Sequence, residues 1–453
     1  MQQRYTCKKQ LTWSTYTPVN IASQVEQGAM SHFQVAAIML CMIINMMDGF
    51  DVLVIAFTAP SIAAEWGLSA SMVGVLLSSG LLGMVLGSLL LGPWADRIGR
   101  RPLILICLLV ITIGMLLSGF CQNAQQLIAM RMLTGLGIGG ILPGLNTIVA
   151  EYSSLRWRSL SVSLMQTGYP VGATLGGILT AILIANYGWR SAFFMGSLAS
   201  AAMIPLVWKQ LPESLDYLLS RRPEGALERV NLLLHRLGKL TVATLPELSE
   251  RQTRQSQGYA ALLSDPLLRH RSILLGTAFF IMMLTFYFVM SWTPKILVDS
   301  GLSTQQGISG GIVLNLGGIV GSVLLGYLSS RLSLIRLTTI YMLVGGLLMV
   351  VFSQATSSIG FMTLIASGVG FFLFGSMIGL YALAPALFPT DSRAAGISMA
   401  MGVGRIGGIA SPLLAGWLFE FGLPQHTAYI LFAVPLLIAA TAVLLLGRLR
   451  QQP

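Results

Sequence analysis

Gly92-Pro93-Trp94-Ala95-Asp96-Arg97-Ile98-Gly99-Arg100-Arg101 is a charged stretch set between two long apolar runs, residues 70–92 and 102–121. About 20 apolar residues cross the hydrocarbon core of a bilayer, so this stretch reads as a tight turn at a membrane surface between two spanning helices. The same hydropathy reading, extended outward, predicts spans at residues 35–60, 70–92, 102–121, 127–150, 160–185, 190–208, 273–298, 308–330, 336–354, 360–386, 394–418 and 427–447. Composition agrees: of 453 residues 55% are hydrophobic and only 9% charged, against about 25% charged in a soluble domain. The expectation is an all-α integral membrane protein of twelve spans.

The net charge of +11 fits orientation better than nucleic-acid binding. If both termini are cytoplasmic, every Lys and Arg except Arg131, Arg190, Lys295 and Arg405 falls on the cytoplasmic side, as the positive-inside rule requires. Anionic lipid would add to that preference. The first 30 residues are polar and carry no apolar core before a cleavage site, so the first span itself is expected to direct insertion. Cys7, Cys41, Cys107 and Cys121 lack metal-ligand spacing, and no disulfide is expected.

One long hydrophilic segment, residues 209–271, divides the chain, with six spans on each side. The expected organisation is a tail at 1–34, a six-helix half at 35–208, a cytoplasmic loop at 209–272, a second half at 273–447 and a tail at 448–453. The halves echo each other. Residues 326–336 repeat the 92–101 turn in worn form, with Ser330 where an acid would stand, and Gly168, Gly172, Gly176 and Gly177 correspond to Gly404, Gly407 and Gly408. A parallel duplication of six helices places a substrate site between the halves near the midplane.

Within the first span stands Asp48-Gly49-Phe50-Asp51. A carboxylate at membrane depth costs about 2.5 to 3.5 kcal/mol even on lenient scales, which marks the pair as functional. Three residues apart on a helix they share a face, and two like charges in a poorly hydrated site are expected to retain a proton near neutral pH.

The 92–101 turn resembles the signature of the major facilitator superfamily. Together with Asp48-Gly49-Phe50-Asp51, Arg131-x-x-Thr134-Gly135-x-Gly137 in the fourth span and Trp292-x-Pro294 in the seventh, the chain is similar to the aromatic acid:proton symporters of that superfamily. The resemblance implies a major facilitator fold in the bacterial inner membrane and uptake of benzoate-like carboxylates by alternating access. It does not separate benzoate from hydroxybenzoates, protocatechuate, gentisate or open-chain muconate. It implies a monomer working with a small aromatic acid, a proton and the lipid bilayer.

In physical terms the turn reads as a conformational latch. Gly92 and Gly99 let the helices approach and turn, and Asp96 is expected to pair with Arg97 or with a basic residue across the halves, in a bridge that opens as the bundle does. Arg100 and Arg101 complete the motif, and Glu151 with Arg156 and Arg158 forms a candidate second part. A topogenic basic turn is the structural alternative.

Arg405, flanked by glycines that would make room for a ligand, is the deepest cation by count and the candidate for the substrate carboxylate, which a guanidinium grips bidentately. Arg131 is expected to touch Asp51, as a fixed bridge or as one that protonation releases. Lys295 and Arg190 read as interfacial residues, Lys295 alternatively as an attractor of anions. Tyr287 and Trp292 are candidates for stacking on a benzoate ring, and Gln166, Asn315, Tyr381 and Asn146 for binding ring hydroxyls; each polar residue could instead join two helices. Gly135-x-Gly137-x-x-Gly140 fits a dinucleotide fingerprint but has no preceding strand, so helix packing accounts for it. No phosphate-binding Gly-Lys loop, metal cluster or catalytic constellation is present in the sequence, so neither a cofactor nor an enzyme is expected. The rival readings are a proton-coupled exporter and a non-transporting receptor for aromatic acids.

Overall fold

The computed structural model describes residues 30–245, 264–329, 331–354, 359–389 and 392–450, with Val25 and Leu262. Cys7, Ser330, Arg251 and Arg254, and most of the tail at 1–34, lie outside the described residues. Twelve helices are long and apolar enough to cross a membrane. In the first half they are α1 (His32–Trp66), α2 (Ala70–Leu90), α3 (Arg100–Phe120), α4 (Ala124–Tyr152), α5 (Arg158–Tyr187) and α6 (Arg190–Gln210). In the second they are α7 (Pro266–Asp299), α8 (Thr304–Ser329), α9 (Leu334–Gln354), α10 (Ile359–Leu383), α11 (Arg393–Glu420) and α12, which runs Gln425–Ala433 and resumes at Pro435–Arg450.

Polar residues fix the ends of these apolar rods. Ser31 and Gln34 form a reciprocal capping box at the start of α1, and Gly67 closes the helix in the left-handed conformation, which a residue without Cβ adopts at no steric cost. Asn123 caps α4, and Asp265 followed by Pro266 starts α7. The 92–101 turn is itself mostly helical, Gly92–Ile98, and breaks at Gly99 with φ +101°.

Glycine spacing decides which helices touch. An added Cβ at Gly83 or Gly87 of α2 would strike the α4 carbonyls of Met132 or Leu136, and one at Gly135 or Gly139 of α4 would strike those of Gly80 or Met84. With no side chain between them, the two backbones interlock. Gly135 and Gly139 thus pack helices, and Gly137 and Gly140 rest on α3 and its neighbours through Cys107, in keeping with the packing explanation of that glycine run. The second half repeats the device between α8 and α10 with Gly317, Gly321 and Gly370. Gly49 and Gly172 seat α1 on α5, and Gly407 seats α11 on α7.

The halves meet mainly on the face opposite the 92–101 turn. There Gly74 faces the Pro412 carbonyl, Gly416 faces Ala70, Gly177 faces Ile312, and Glu420 accepts from the Ser71 amide at 3.0 Å. Ser78 donates to the Ile409 carbonyl at 2.9 Å.

The latch differs from expectation. Asp96 pairs with Arg100 of its own turn at 2.9 Å and is 64% exposed, so among the described residues it has no bridge to the other half. The first half is clamped instead to the chain that follows α6. Glu213 accepts from the Arg100 and Arg101 amides at 2.8 and 3.3 Å, beside the positive-φ Gly99. Glu151 caps the short helix Leu215–Arg221 by accepting from Ser214 Oγ and the Leu215 amide, both at 2.8 Å. Arg101 donates to the Trp208 carbonyl, Arg158 to that of Ala150, and Tyr217 to that of Arg97. Among the described residues no hydrogen bond or ion pair joins the two halves at this turn, and its charges find partners within the first half.

Candidate functional site

Two polar centres lie along α1. Among the described residues Asp48, Asp51 and Arg131 are the only charged residues classed as buried, at 8%, 1% and 1% exposure. The expected contact between Arg131 and Asp51 exists, but through different atoms. The Arg131 guanidinium donates to the main-chain carbonyl of Asp51 and approaches Met115 Sδ at 3.1 Å, with Phe193 beneath it. Both carboxylate oxygens of Asp51 are buried without a hydrogen-bond partner, as is Oδ1 of Asp48. The guanidinium passes beside Gly80 of α2, where an added Cβ would stand 3.7 Å from it, an ordinary contact. Met47, Asp48, Asp51 and Ser200 line a small cavity with apolar residues of α3 and α4, about large enough for one water. Asp51 Oδ1 points toward Gly196 of α6.

The second centre joins the halves. Arg405 donates to Ser88 Oγ of α2 at 2.8 Å and makes no ion pair among the described residues. It lies within electrostatic range of Asp48, Tyr287 and Tyr381. Its flanking glycines do not make a ligand pocket: Gly404 faces Met283 and Phe279, and Gly407 faces the Phe280 carbonyl. They bring α7 close, and that places Tyr287 against Gly408, one turn beyond Arg405. Tyr381 of α10 leans on Phe279 with ring centroids 5.3 Å apart and is 36% exposed.

Other candidates fall elsewhere. Trp292 is buried at 1% exposure, donating to the Pro412 carbonyl at 3.3 Å and packed edge-on to Phe419; the seven-eleven helix contact claims both its ring and its N–H. Gln166 pairs with Asn146 at 3.3 Å. Asn315 donates to the Gly311 carbonyl, leaving a buried unpartnered oxygen. Lys295 pairs with Asp299 at 2.8 Å, and Arg190 with Glu65 at 2.8 Å.

Two residues at the site were not singled out from the sequence. Ser88 is one of many serines in apolar spans, and nothing in the sequence says that it faces Arg405. Tyr169 of α5 sits where α5 crosses Gly49, next to Asp48, and it is within electrostatic range of Asp48, Tyr287 and Tyr381. A polar ring beside the Gly168–Gly177 run is the available signal.

The sequence profile of the Major Facilitator Superfamily matches residues 39–384. The chain belongs to this superfamily. It is a transporter rather than an enzyme, as its relatives are. A gallate transporter of Pseudomonas putida is 33% identical, over 96% of this chain and 97% of its own length. A 4-hydroxybenzoate transporter, PcaK, of Pseudomonas aeruginosa is 32% identical over 95% and 96%, and a benzoate transport protein of Acinetobacter baylyi is 26% identical over 95% and 93%. Among solved structures, the xylose transporter XylE of E. coli superposes with a TM-score of 0.69 at 17% identity, covering 91% of this chain and 97% of that one, which shows the shared fold.

Proposed function

We propose that this transporter takes up an aromatic carboxylate of the benzoate or hydroxybenzoate class together with protons, by alternating access. The observation that carries the reading is Arg405: a guanidinium at the junction of the halves whose side-chain partner among the described residues is a serine hydroxyl, within electrostatic range of Asp48, Tyr287 and Tyr381. A substrate carboxylate would take two parallel N–H bonds from one edge of the guanidinium and satisfy a cation that has no ion pair among the described residues. The tyrosine rings would supply flat apolar contact to the substrate ring. The aromatic acids named for the full-length relatives support this choice.

Asp48 and Asp51 carry the proton in this reading. With both ionised, Asp48 competes with the incoming carboxylate for Arg405. Protonation removes that competitor, so proton and substrate bind better together than apart. One proton entering with a monoanion moves no net charge, whereas two would make uptake respond to membrane potential. The basic turns support an orientation with the 92–101 face and both termini in the cytoplasm of a bacterial cell. The contacts on the opposite face then make this an inward-facing arrangement, in which the substrate leaves past Tyr381.

The test is uptake of labelled benzoate, 4-hydroxybenzoate, gallate and muconate into proteoliposomes under an imposed inward proton gradient. Gradient-driven accumulation, lost in Asp48→Asn and in Arg405→Ala, is expected. Saturable binding without accumulation would leave a receptor, and gradient-driven expulsion would leave an exporter.

A further inference from the structure

Ser200 of α6 holds its hydroxyl differently from most hydroxyls in these helices. Thr112, Ser118 and Thr134 each donate back to the carbonyl four residues earlier, at 2.8, 2.7 and 2.8 Å, as helical serines and threonines commonly do. Ser197, on the same helix, donates across to the Thr112 carbonyl of α3 at 3.0 Å. Ser200 is just as deeply buried, yet its Oγ has no hydrogen-bond partner. Three carboxylate oxygens share that condition, Asp48 Oδ1 and both oxygens of Asp51. These residues meet. Asp48, Asp51 and Ser200 are the polar residues lining the small cavity among α1, α3, α4 and α6, whose other walls are apolar, Leu108 and Ile111 of α3 and Ile138 of α4 among them. An added Cβ at Gly196 would stand 3.5 Å from Asp51 Oδ1, and Ser200 lies one turn further along the same face of α6.

Four buried oxygens without partners, around room for about one water, make a hydration site: a buried water takes two to four polar partners and satisfies groups that the protein leaves unpaired. A hard cation would collect about six oxygen ligands, more than this mostly apolar wall offers. We propose that one buried water, held by Ser200, bridges Asp48 and Asp51, so that the two carboxylates gain and lose protons as a linked pair. This rests on the proposed role of the two aspartates as proton carriers. The water donates one hydrogen to Asp48 Oδ1 and the other to an Asp51 oxygen, while Ser200 Oγ–H donates to the water oxygen. A proton that binds goes onto one carboxylate, whose new O–H donates to the water. The water then donates to the other carboxylate, which stays charged and resists a second proton. Ser200 is thus a positioning residue that acts through the water. Arg131 of α4 acts on Asp51, and Arg405 of α11, Tyr169 of α5 and Tyr287 of α7 lie within electrostatic range of Asp48. All four stand outside the cavity lining, so a change at Ser200 leaves them in place.

The experiment is infrared difference spectroscopy of the purified full chain between acid and alkaline pH, in ordinary water and in water enriched in oxygen-18. The proteins are wild type, Asp48→Asn, Asp51→Asn, Ser200→Ala and Ser200→Thr. Wild type should lose its buried carboxylic-acid signal in two steps about one pH unit or more apart, and should show a water O–H band that oxygen-18 displaces. Each Asn variant should keep one step, at lower pH than the upper wild-type step because the neighbouring charge is gone. Ser200→Ala should shift or abolish the water band, and Ser200→Thr, which keeps the hydroxyl, should retain it. Absence of an oxygen-18-sensitive band in wild type overturns the proposal, and so does the same band in Ser200→Ala. An Asn variant whose single step coincides with the upper wild-type step would show independent carboxyls, and the inference would fall while the proton role of the aspartates stands. If neither Asn variant removes a carboxyl step, the proton role itself falls, and this inference with it.

Discussion

Replacing Gly74 with alanine should tip the transporter away from the arrangement described here. Gly74 of α2 faces α11 of the other half, and its added Cβ would sit 2.5 Å from the Pro412 carbonyl oxygen and 3.3 Å from Gly416 Cα. Both are main-chain atoms within helices and cannot swing aside, so one helix must shift. Overpacking of this kind costs about 1 to 3 kcal/mol. If the halves separate on this face during transport, the methyl group meets nothing in the alternative state and the cost falls on one side of the equilibrium. Alanine's higher helix propensity, about 1 kcal/mol, is gained in both states and cancels. The ratio of states should then move about 5- to 150-fold. Spin labels at Tyr187→Cys and Phe421→Cys, both strongly exposed residues near this face on opposite halves, in a background without native cysteines, would report it as growth of a longer-distance population by pulsed electron resonance. A distance distribution identical to wild type, in a folded and monodisperse variant, would refute the argument that this contact opens. Gly416→Ala should act in the same direction, but the two should not add, because the glycines touch each other.

Ser88→Ala removes the hydroxyl that holds Arg405 across the halves; aromatic-acid affinity by calorimetry should rise about 2- to 10-fold, and a fall would show that Ser88 contacts substrate instead. Arg131→Met removes the donor to the Asp51 carbonyl and the cation nearest its carboxylate, and should cost about 1 to 3 kcal/mol. Adding Asp51→Asn should restore part of it in thermal unfolding, and simple additivity of the two losses would deny their coupling. Asp48→Asn should change aromatic-acid affinity several times more than Asp51→Asn does, since Asp48 is the one near Arg405; equal changes would overturn that division. Glu213→Gln weakens the charge-assisted cap on the Arg100 and Arg101 amides. Amide exchange should rise about 5- to 30-fold through residues 100–103, from a loss of about 1 to 2 kcal/mol, and unchanged protection would exclude Glu213 as a clamp.

The twelve spans were legible because a bilayer imposes a length and an apolar composition that composition alone can report. The paired acids and Arg405 stood out as candidates for the same reason in reverse, since charge at membrane depth is rare and costly. Side-chain direction was not. Gly404 and Gly407 looked like space for a ligand, but a glycine in an apolar helix serves helix contact as readily, and here it admits α7. Trp292 and Tyr287 stand five residues apart on one helix, yet one is spent on Pro412 and Phe419 while the other faces the junction. Ser88 and Tyr169 gain meaning only when helices far apart in sequence cross. The partner of Asp96 was not legible either, because it depends on how far apart the halves stand at that face, a property of the conformation rather than of the sequence.

The atoms that Arg131 uses bear on coupling. A bridge between guanidinium and carboxylate would make protonation of Asp51 a bond-breaking event, and its energy would go into separating α1 from α4. Arg131 holds the Asp51 main chain instead, so that anchor persists whatever the state of the carboxylate, and protonation changes charge without releasing a helix. On the proposed reading the consequence of that charge must travel along α1 to Asp48. There the helix is seated on α5 by Gly49, and Asp48 lies within electrostatic range of Arg405 of the other half. Proton binding would thus act on the substrate site through electrostatics at Arg405. The movement would come later, when an occupied Arg405 gives up Ser88 and removes a hydrogen bond that ties α11 to α2.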